Sequence, residues 1–112
     1  MHERSLMLAL LKQVSSIQEE YGGAAVLEIA VEAGSLSGVE PELLHEAFRE
    51  FVTQHPQANL TVKTGLVTAR CKSCEHKWAM EKFASECPAC QSSSVQITGG
   101  DAFQLLYVKL ME

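Results

Sequence analysis

The sequence predicts an α+β fold: a small mixed three-stranded sheet covered by two helices, with a four-cysteine metal-binding subdomain inserted before the last strand. Two segments carry apolar residues at helical spacing, and four carry the pattern of strands, of which three are the main strands of the sheet. All four cysteines lie between positions 71 and 90. With 112 residues, of which 46% are hydrophobic, the chain can form one domain with a modest core and an insert.

The first helix is predicted over residues 3–20, where apolar residues recur every three or four positions and share one face. They are Met7, Leu10, Leu11, Val14 and Ile17. Gly22 and Gly23 end this helix, because glycine takes the left-handed C-terminal conformation without steric cost. Residues 25–33 then alternate between two faces, which predicts a half-buried strand.

The second helix is predicted to begin at Pro41, since proline fits the first helical position, and to end before His55-Pro56. Its apolar stripe consists of Leu43, Leu44, Ala47, Phe48, Phe51 and Val52. His45 lies off this stripe and His55 follows the helix, so we expect both imidazoles to be solvated.

Three further segments are predicted to be strands. Residues 59–69 are rich in β-branched side chains and are predicted to form one strand that runs into Cys71. A short strand over residues 95–98 and a final strand over residues 103–111 flank a glycine turn.

The strand–helix–strand unit from 25 to 69 is expected to be a right-handed parallel crossover. The predicted division of the chain is a lobe of residues 1–69 plus 99–112, and an insert of residues 70–98. The insert therefore interrupts the sheet-forming part of the chain shortly before its last strand.

The cysteines form two Cys-x-x-Cys pairs, Cys71 with Cys74 and Cys87 with Cys90, separated by 12 residues. Each short gap lets the chain turn so that both sulfurs point at one place, and the 12 intervening residues are long enough for a short hairpin. Four thiolates in a tetrahedral array suit zinc and leave no position for water, so we predict a structural zinc-ribbon site. An iron site of rubredoxin type is the alternative that the ligands leave open.

Two other uses of paired cysteines are disfavoured. Disulfides need an oxidising compartment, and residues 1–20 lack the regions of a signal peptide. Haem attachment needs a histidine directly after a Cys-x-x-Cys pair, where Glu75 and Gln91 stand. We therefore expect reduced cysteines in a cytoplasmic protein.

Charge and hydropathy argue against two classes of partner. The formal net charge is −5, which is the wrong sign for a nucleic-acid-binding protein. Within residues 70–90, four basic side chains are balanced by three acidic ones, so the metal loop offers no strong basic patch. The longest apolar run, residues 6–11, is far shorter than the roughly 20 residues that span a bilayer, so we expect no membrane insertion.

The N-terminus, Met1-His2-Glu3, offers an amine, the backbone nitrogen of His2 and its imidazole, which can close two chelate rings around one metal. Nickel(II) and copper(II) accept such square-planar nitrogen sites. Glu3 would offset the cost of a dication near the positive end of the helix dipole. The residues alone leave open that His2 is an incidental polar residue at a frayed terminus.

Several motifs together resemble the HypA/HybF family of hydrogenase nickel incorporation proteins. They are the opening Met1-His2-Glu3-x-Ser5-Leu6, the Leu36-Ser37-x-Val39-x-Pro41-Glu42 entry to the second helix, Ala47-Phe48, the paired Cys-x-x-Cys and Gly100-Asp101. This resemblance covers nearly the whole chain. It implies a metallochaperone that carries nickel(II) as transient cargo and delivers it during maturation of the nickel-iron hydrogenase large subunit, working with the GTPase HypB.

Carried onto this sequence, the resemblance implies that His2 is a nickel ligand, with Met1 and Glu3 contributing at the same end. It also implies that the four cysteines hold structural zinc(II). The alternative function is a zinc-ribbon adaptor or regulatory protein without a nickel role, which would not depend on His2. No enzyme is predicted, because the sequence shows no nucleophile motif, no His-Glu-x-x-His and no open metal position.

Four other residues lie near the two predicted sites. Glu40 is a candidate for an extra oxygen ligand at the nickel end, although a carboxylate before a helix is common. We expect His76 to lie on the surface of the first cysteine turn. Trp78 and Phe83 are expected to cover the zinc sulfurs.

Overall fold

The computed structural model describes residues 2–81 and 84–112, and within them the chain forms the two predicted helices and six strands. The helices are α1 (Glu3–Glu20) and α2 (Pro41–Phe51), with a 3-10 turn over Val52–Gln54. The strands are β1 (Val26–Gly34), β2 (Asn59–Gly65), β3 (Val67–Cys71), β4 (Lys77–Met80), β5 (Val95–Gly99) and β6 (Phe103–Leu110). No helix in the described part of the chain is long and apolar enough to cross a membrane.

The first sheet has the strand order β2-β1-β6, with β1 at its centre. β1 runs parallel to β2 and antiparallel to β6. α2 joins the two parallel strands, so the parallel crossover is confirmed, whereas its right-handedness stays a prediction. The predicted mixed sheet of three strands and the α+β class are therefore confirmed.

The apolar stripes of both helices pack on one face of this sheet. The fully or nearly fully buried residues of this core are Met7, Leu10, Leu11, Val14, Val26, Ile29, Val31, Leu44, Ala47 and Phe48. The three from α2 belong to its predicted stripe, whereas Leu43 at the edge of that stripe is 37% exposed. The helices thus place their two N-terminal ends beside each other, and this arrangement matters for the N-terminal site.

The prediction of one strand over residues 59–69 is wrong, because the chain changes sheets at Leu66. β2 ends at Gly65, and β3 begins at Val67 in the second sheet. Gly100 packs so closely on this crossing that a Cβ atom there would lie 2.7 Å from the Leu66 carbonyl oxygen. β-branched residues lie on both sides of Gly65 and Leu66, so this composition alone does not mark the change.

The second sheet has the order β4-β3-β5, and both pairs are antiparallel. β4 pairs with β3 across the first cysteine pair, so the hairpin contains that turn and does not lie between the two pairs. The division into residues 1–69 plus 99–112 and residues 70–98 stays a prediction.

His55 is buried, and the expectation that it is solvated is wrong. Its side chain is only 4% exposed, and its Nε2 lies 3.1 Å from the Ser15 hydroxyl oxygen of α1. The 3-10 turn after α2 ends the helical periodicity, so the position of His55 does not follow from the stripe. Its Nδ1 is buried and has no hydrogen-bond partner among the described residues, and burial lowers the pKa of the imidazole.

This burial predicts a loss of stability in acid. The folded-state pKa of His55 lies below its unfolded value, so the stabilisation is present above the unfolded pKa and is lost as pH falls through the folded one. Between the two pKa values, the loss is up to about 1.4 kcal/mol per pH unit. Denaturant unfolding at pH 7.5 and 5.5 should show a larger loss for the wild type than for His55→Gln. Equal losses in the two proteins would contradict this assignment.

Candidate metal centres

The first cysteine turn is closed by two backbone hydrogen bonds. The Cys71 amide donates to the His76 carbonyl at 2.9 Å, and the Glu75 amide donates to the Cys71 carbonyl at 2.9 Å. The Cys71 sulfur accepts further N–H groups from Ser73 at 3.3 Å and from Cys74 at 3.5 Å. The turn therefore holds this sulfur in place, and the pairing of Cys71 with Val95 of β5 fixes the backbone that carries it.

The second turn repeats the first at the same spacing. The Cys87 amide donates to the Ser92 carbonyl at 2.9 Å, and the Gln91 amide donates to the Cys87 carbonyl at 2.8 Å. The Cys87 sulfur accepts the Ala89 amide at 3.4 Å. Glu75 and Gln91 occupy equivalent places and both have positive φ, 66° and 60°, which turns the chain away directly after each pair. Two similar turns thus present two sulfurs each to one point.

The four sulfurs lie within 4.8 Å of one another, as the cysteine spacing predicts. The Sγ atoms of Cys71 and Cys90 are 3.6 Å apart, and those of Cys74 and Cys87 are 3.7 Å apart. A tetrahedron with metal–sulfur bonds of about 2.3 Å separates its sulfurs by about 3.8 Å, whereas a disulfide needs about 2.05 Å. The cluster therefore has the dimensions of a four-thiolate metal site and not of disulfides.

Proximity makes the thiols compete for ionisation. The pKa of Cys71 is lowered to about 6, first by the hydrogen bond from the Cys74 amide. The Ser92 amide lowers the pKa of Cys90, but hydrogen bonding with the Cys74 thiol and burial outweigh it and raise the value to about 12. One thiolate therefore opposes the formation of another. A dication at the centre is the group that would stabilise all four.

Two aromatic rings stack on each other just after the first cysteine turn. His76 is exposed, as predicted, and its ring stacks on Trp78 with centroids 5.5 Å apart and planes 12° from parallel. Phe83 lies outside the described residues, and the covering of the sulfurs by Trp78 and Phe83 stays a prediction.

The second predicted site lies at the beginning of α1. His2 is exposed and is the N-cap residue, and its carbonyl oxygen accepts the Leu6 amide at 3.0 Å. The His2 side chain makes no capping hydrogen bond within the described part of the chain. The imidazole thus stands at the open end of the helix. Met1 lies outside the described residues.

Glu3 differs from its neighbour because its side chain is buried, with 3% exposure. Its carboxylate accepts the backbone N–H of Glu40 at 3.0 Å. The pKa of Glu3 is lowered to about 2, first by hydrogen bonding with the amino terminus of the chain and then by the Glu40 amide. The carboxylate is therefore ionised at neutral pH and joins the start of α1 to the start of α2.

The loop before α2 also reaches His2. A Cβ atom built on Gly38 would lie 3.6 Å from the His2 Cε1 atom. The structure thus brings together His2, Glu3, Gly38 and the Glu40 backbone, while the Glu40 side chain is exposed. Sequence reasoning missed the contributions of Gly38 and of the Glu40 amide. The only local signal was the loop composition before Pro41.

Comparison with known proteins gives a consistent result. The family model described as "Hydrogenase/urease nickel incorporation, metallochaperone, hypA" matches residues 1–110. A protein named Hydrogenase maturation factor HypA from Aquifex aeolicus is 32% identical over 114 residues, with 100% of this chain and 96% of the relative covered. One of the same name from Helicobacter hepaticus is 30% identical over 114 residues, with 98% and 97% covered.

Two solved structures share the fold. The solution structure of the Ni metallochaperone HypA from Helicobacter pylori has a TM-score of 0.71 at 24% identity and covers 99% of this chain and 98% of that one. A solution structure titled HypA protein has a TM-score of 0.74 at 24% identity, with 99% and 97% covered.

Proposed function

Because the chain belongs to the HypA family of nickel incorporation metallochaperones in hydrogenase maturation, we propose that it carries nickel(II) at Met1-His2-Glu3 and holds a structural zinc(II) ion with its four cysteines. The nickel is cargo that leaves the protein, whereas the zinc stays. This is a maturation role, and the proposal contains no catalytic step. We assign it to the cytoplasm, where reduced thiols persist.

Support for zinc comes from the donor set and its dimensions. Four sulfurs within 4.8 Å of one another fill a tetrahedral shell, so no position is left for water. Cys71 and Cys87 are 0% and 1% exposed, so half of the shell is also shielded from solvent. Such a closed site stabilises a fold and does not exchange its ligands readily, which suits a structural ion and not the cargo.

The observation that carries the nickel proposal is the exposed His2 at the start of α1, whose side chain makes no capping bond, with the buried carboxylate of Glu3 beside it. An imidazole and a neighbouring backbone nitrogen form a chelate that suits nickel(II). The ionised carboxylate offsets the repulsion between a cation and the positive helix end. An open terminus lets the cargo leave without unfolding.

The proposed partners are the GTPase HypB and the hydrogenase large subunit. The sequence contains no phosphate-binding loop of the P-loop type, so any nucleotide-driven step must come from a partner. Transfer requires the donor and acceptor ligands to approach closely. We therefore place the contact surface on α1 and on residues 34–40, which adjoin His2.

The test is transfer of radioactive nickel from the loaded protein to nickel-free hydrogenase large subunit, with HypB and GTP present. We expect transfer by the wild type, none by His2→Ala, and cross-links to HypB from α1 and residues 34–40. A zinc-loaded protein that transfers no nickel, or cross-links confined to residues 70–98, would instead favour a zinc-ribbon adaptor.

A further inference from the structure

The burial of Glu3 requires an explanation, because a carboxylate is rarely 3% exposed unless hydrogen bonds satisfy it. One of these bonds comes from the backbone N–H of Glu40, at 3.0 Å. Glu40 is the N-cap residue of α2, 37 positions away along the chain. The first residue of one helix therefore binds the cap residue of the other.

This contact replaces a bond that α2 cannot make for itself. In a capping box, a glutamate or glutamine at the third helical position accepts the backbone N–H of the N-cap residue. The third position of α2 is Leu43, which has no acceptor, and the α2 N-cap makes no side-chain capping bond. Glu3 supplies the missing carboxylate from α1.

The loop of residues 35–40 leads to this cap, and hydrogen bonds to other parts of the chain fix its beginning. The Ser35 amide donates to the Gly65 carbonyl at 3.0 Å, and the Leu36 amide donates to the Gly100 carbonyl at 2.7 Å. Gly38 lies between these two bonds and the Glu40 amide. A Cβ atom built on Gly38 would be 3.6 Å from the Cε1 atom of the His2 ring. The segment beside the imidazole is thus held by the sheets on one side and by Glu3 on the other.

We propose that Glu3 is a positioning residue, which caps α2 from α1 and thereby holds residues 37–40 against the His2 imidazole. This role rests on the proposed nickel function and adds to it. In this role, residues 37–40 limit the positions open to the exposed ring on one side, which would preorganise the terminus before nickel arrives. Loss of such a supporting contact typically lowers metal affinity about 10- to 100-fold.

Two conservative variants separate reach from charge. Glu3→Gln keeps the side-chain length and the acceptor oxygen but loses the charge. Glu3→Asp keeps the charge but is one methylene too short to hold the Glu40 amide at 3.0 Å. Because Glu3→Gln removes the charge that offsets cation repulsion, we expect it to lose about two- to fivefold in nickel affinity. Glu3→Asp, which loses the contact with the Glu40 amide, should lose about tenfold or more. Glu42→Gln, which changes an exposed glutamate in the first turn of α2, should match the wild type.

The measurement is nickel titration of the untagged, zinc-loaded proteins, together with the amide NMR signal of Glu40 in the nickel-free state. That signal should move less in Glu3→Gln, which keeps a weaker acceptor, than in Glu3→Asp, which loses the contact. The opposite order of affinities, or an unmoved Glu40 signal in Glu3→Asp, would overturn the positioning role alone. Absence of nickel binding by the wild type would overturn the proposed function itself, and with it this role.

Discussion

Cys87→Ser is expected to release the zinc ion and unfold the second sheet, while the helix-covered sheet stays folded. Cys87 is 1% exposed, and its sulfur lies 3.7 Å from that of Cys74. A serine hydroxyl does not ionise at neutral pH and cannot replace the thiolate. Binding of a structural zinc ion contributes about 10–16 kcal/mol, which a ribbon with few apolar contacts cannot replace.

The readouts are zinc content and an amide spectrum. Signals of residues 71–98 should collapse toward disordered positions, and those of α1 and β1 should stay. Ser73→Ala is the matched control, because it removes an exposed hydroxyl 2.9 Å from that of Ser92 without removing a ligand. A Cys87→Ser protein with bound zinc or with a native ribbon spectrum would show that the cluster does not hold the ribbon together.

His2→Ala is expected to abolish nickel binding and to leave zinc binding and folding unchanged. The His2 side chain is exposed, and its role in α1 is carried by its backbone carbonyl, which alanine keeps. Alanine removes the imidazole from the proposed chelate, and the remaining nitrogen donors are weak without it. The nickel and zinc sites share no ligand, so the loss should be confined to nickel.

His45→Ala is the matched control for His2→Ala. His45 is a half-buried histidine on α2 that belongs to neither proposed site. The His45→Ala protein should bind nickel with the same affinity as the wild type. Equal loss in both variants would indicate nonspecific histidine binding, and no loss in His2→Ala would remove His2 from the nickel site.

The parts of the fold that sequence predicted are those set by local pattern. The helical spacing from Met7 to Val14 marks one buried face, and the sheet needs that face for its core. Each cysteine pair follows for the same reason, because its own turn brings the two cysteines together within four residues. Such features require no knowledge of the distant chain.

The parts that sequence did not predict depend on distant partners. The change of sheet at Leu66 is fixed by packing against Gly100, and the β-branched pattern is the same on both sides of it. The hydrogen bond from the Glu40 amide to the Glu3 carboxylate spans 37 positions, and no local pattern at either residue indicates its partner. The buried His55 contacts Ser15 of α1, which is 40 positions away in the sequence. Only the assembled fold brings these groups together.

The proposed binding of nickel at the N-terminal end of α1 is tested most directly by one titration. Nickel is titrated calorimetrically into two zinc-loaded proteins, one that begins at Met1 and one with a single glycine added before Met1. Mass spectrometry first verifies both termini. The added residue converts the Met1 amine to an amide and moves His2 out of the chelate, so we expect tight binding by the first protein and loss of most of the affinity in the second. Equal affinity in the two proteins would contradict a nickel site at this terminus.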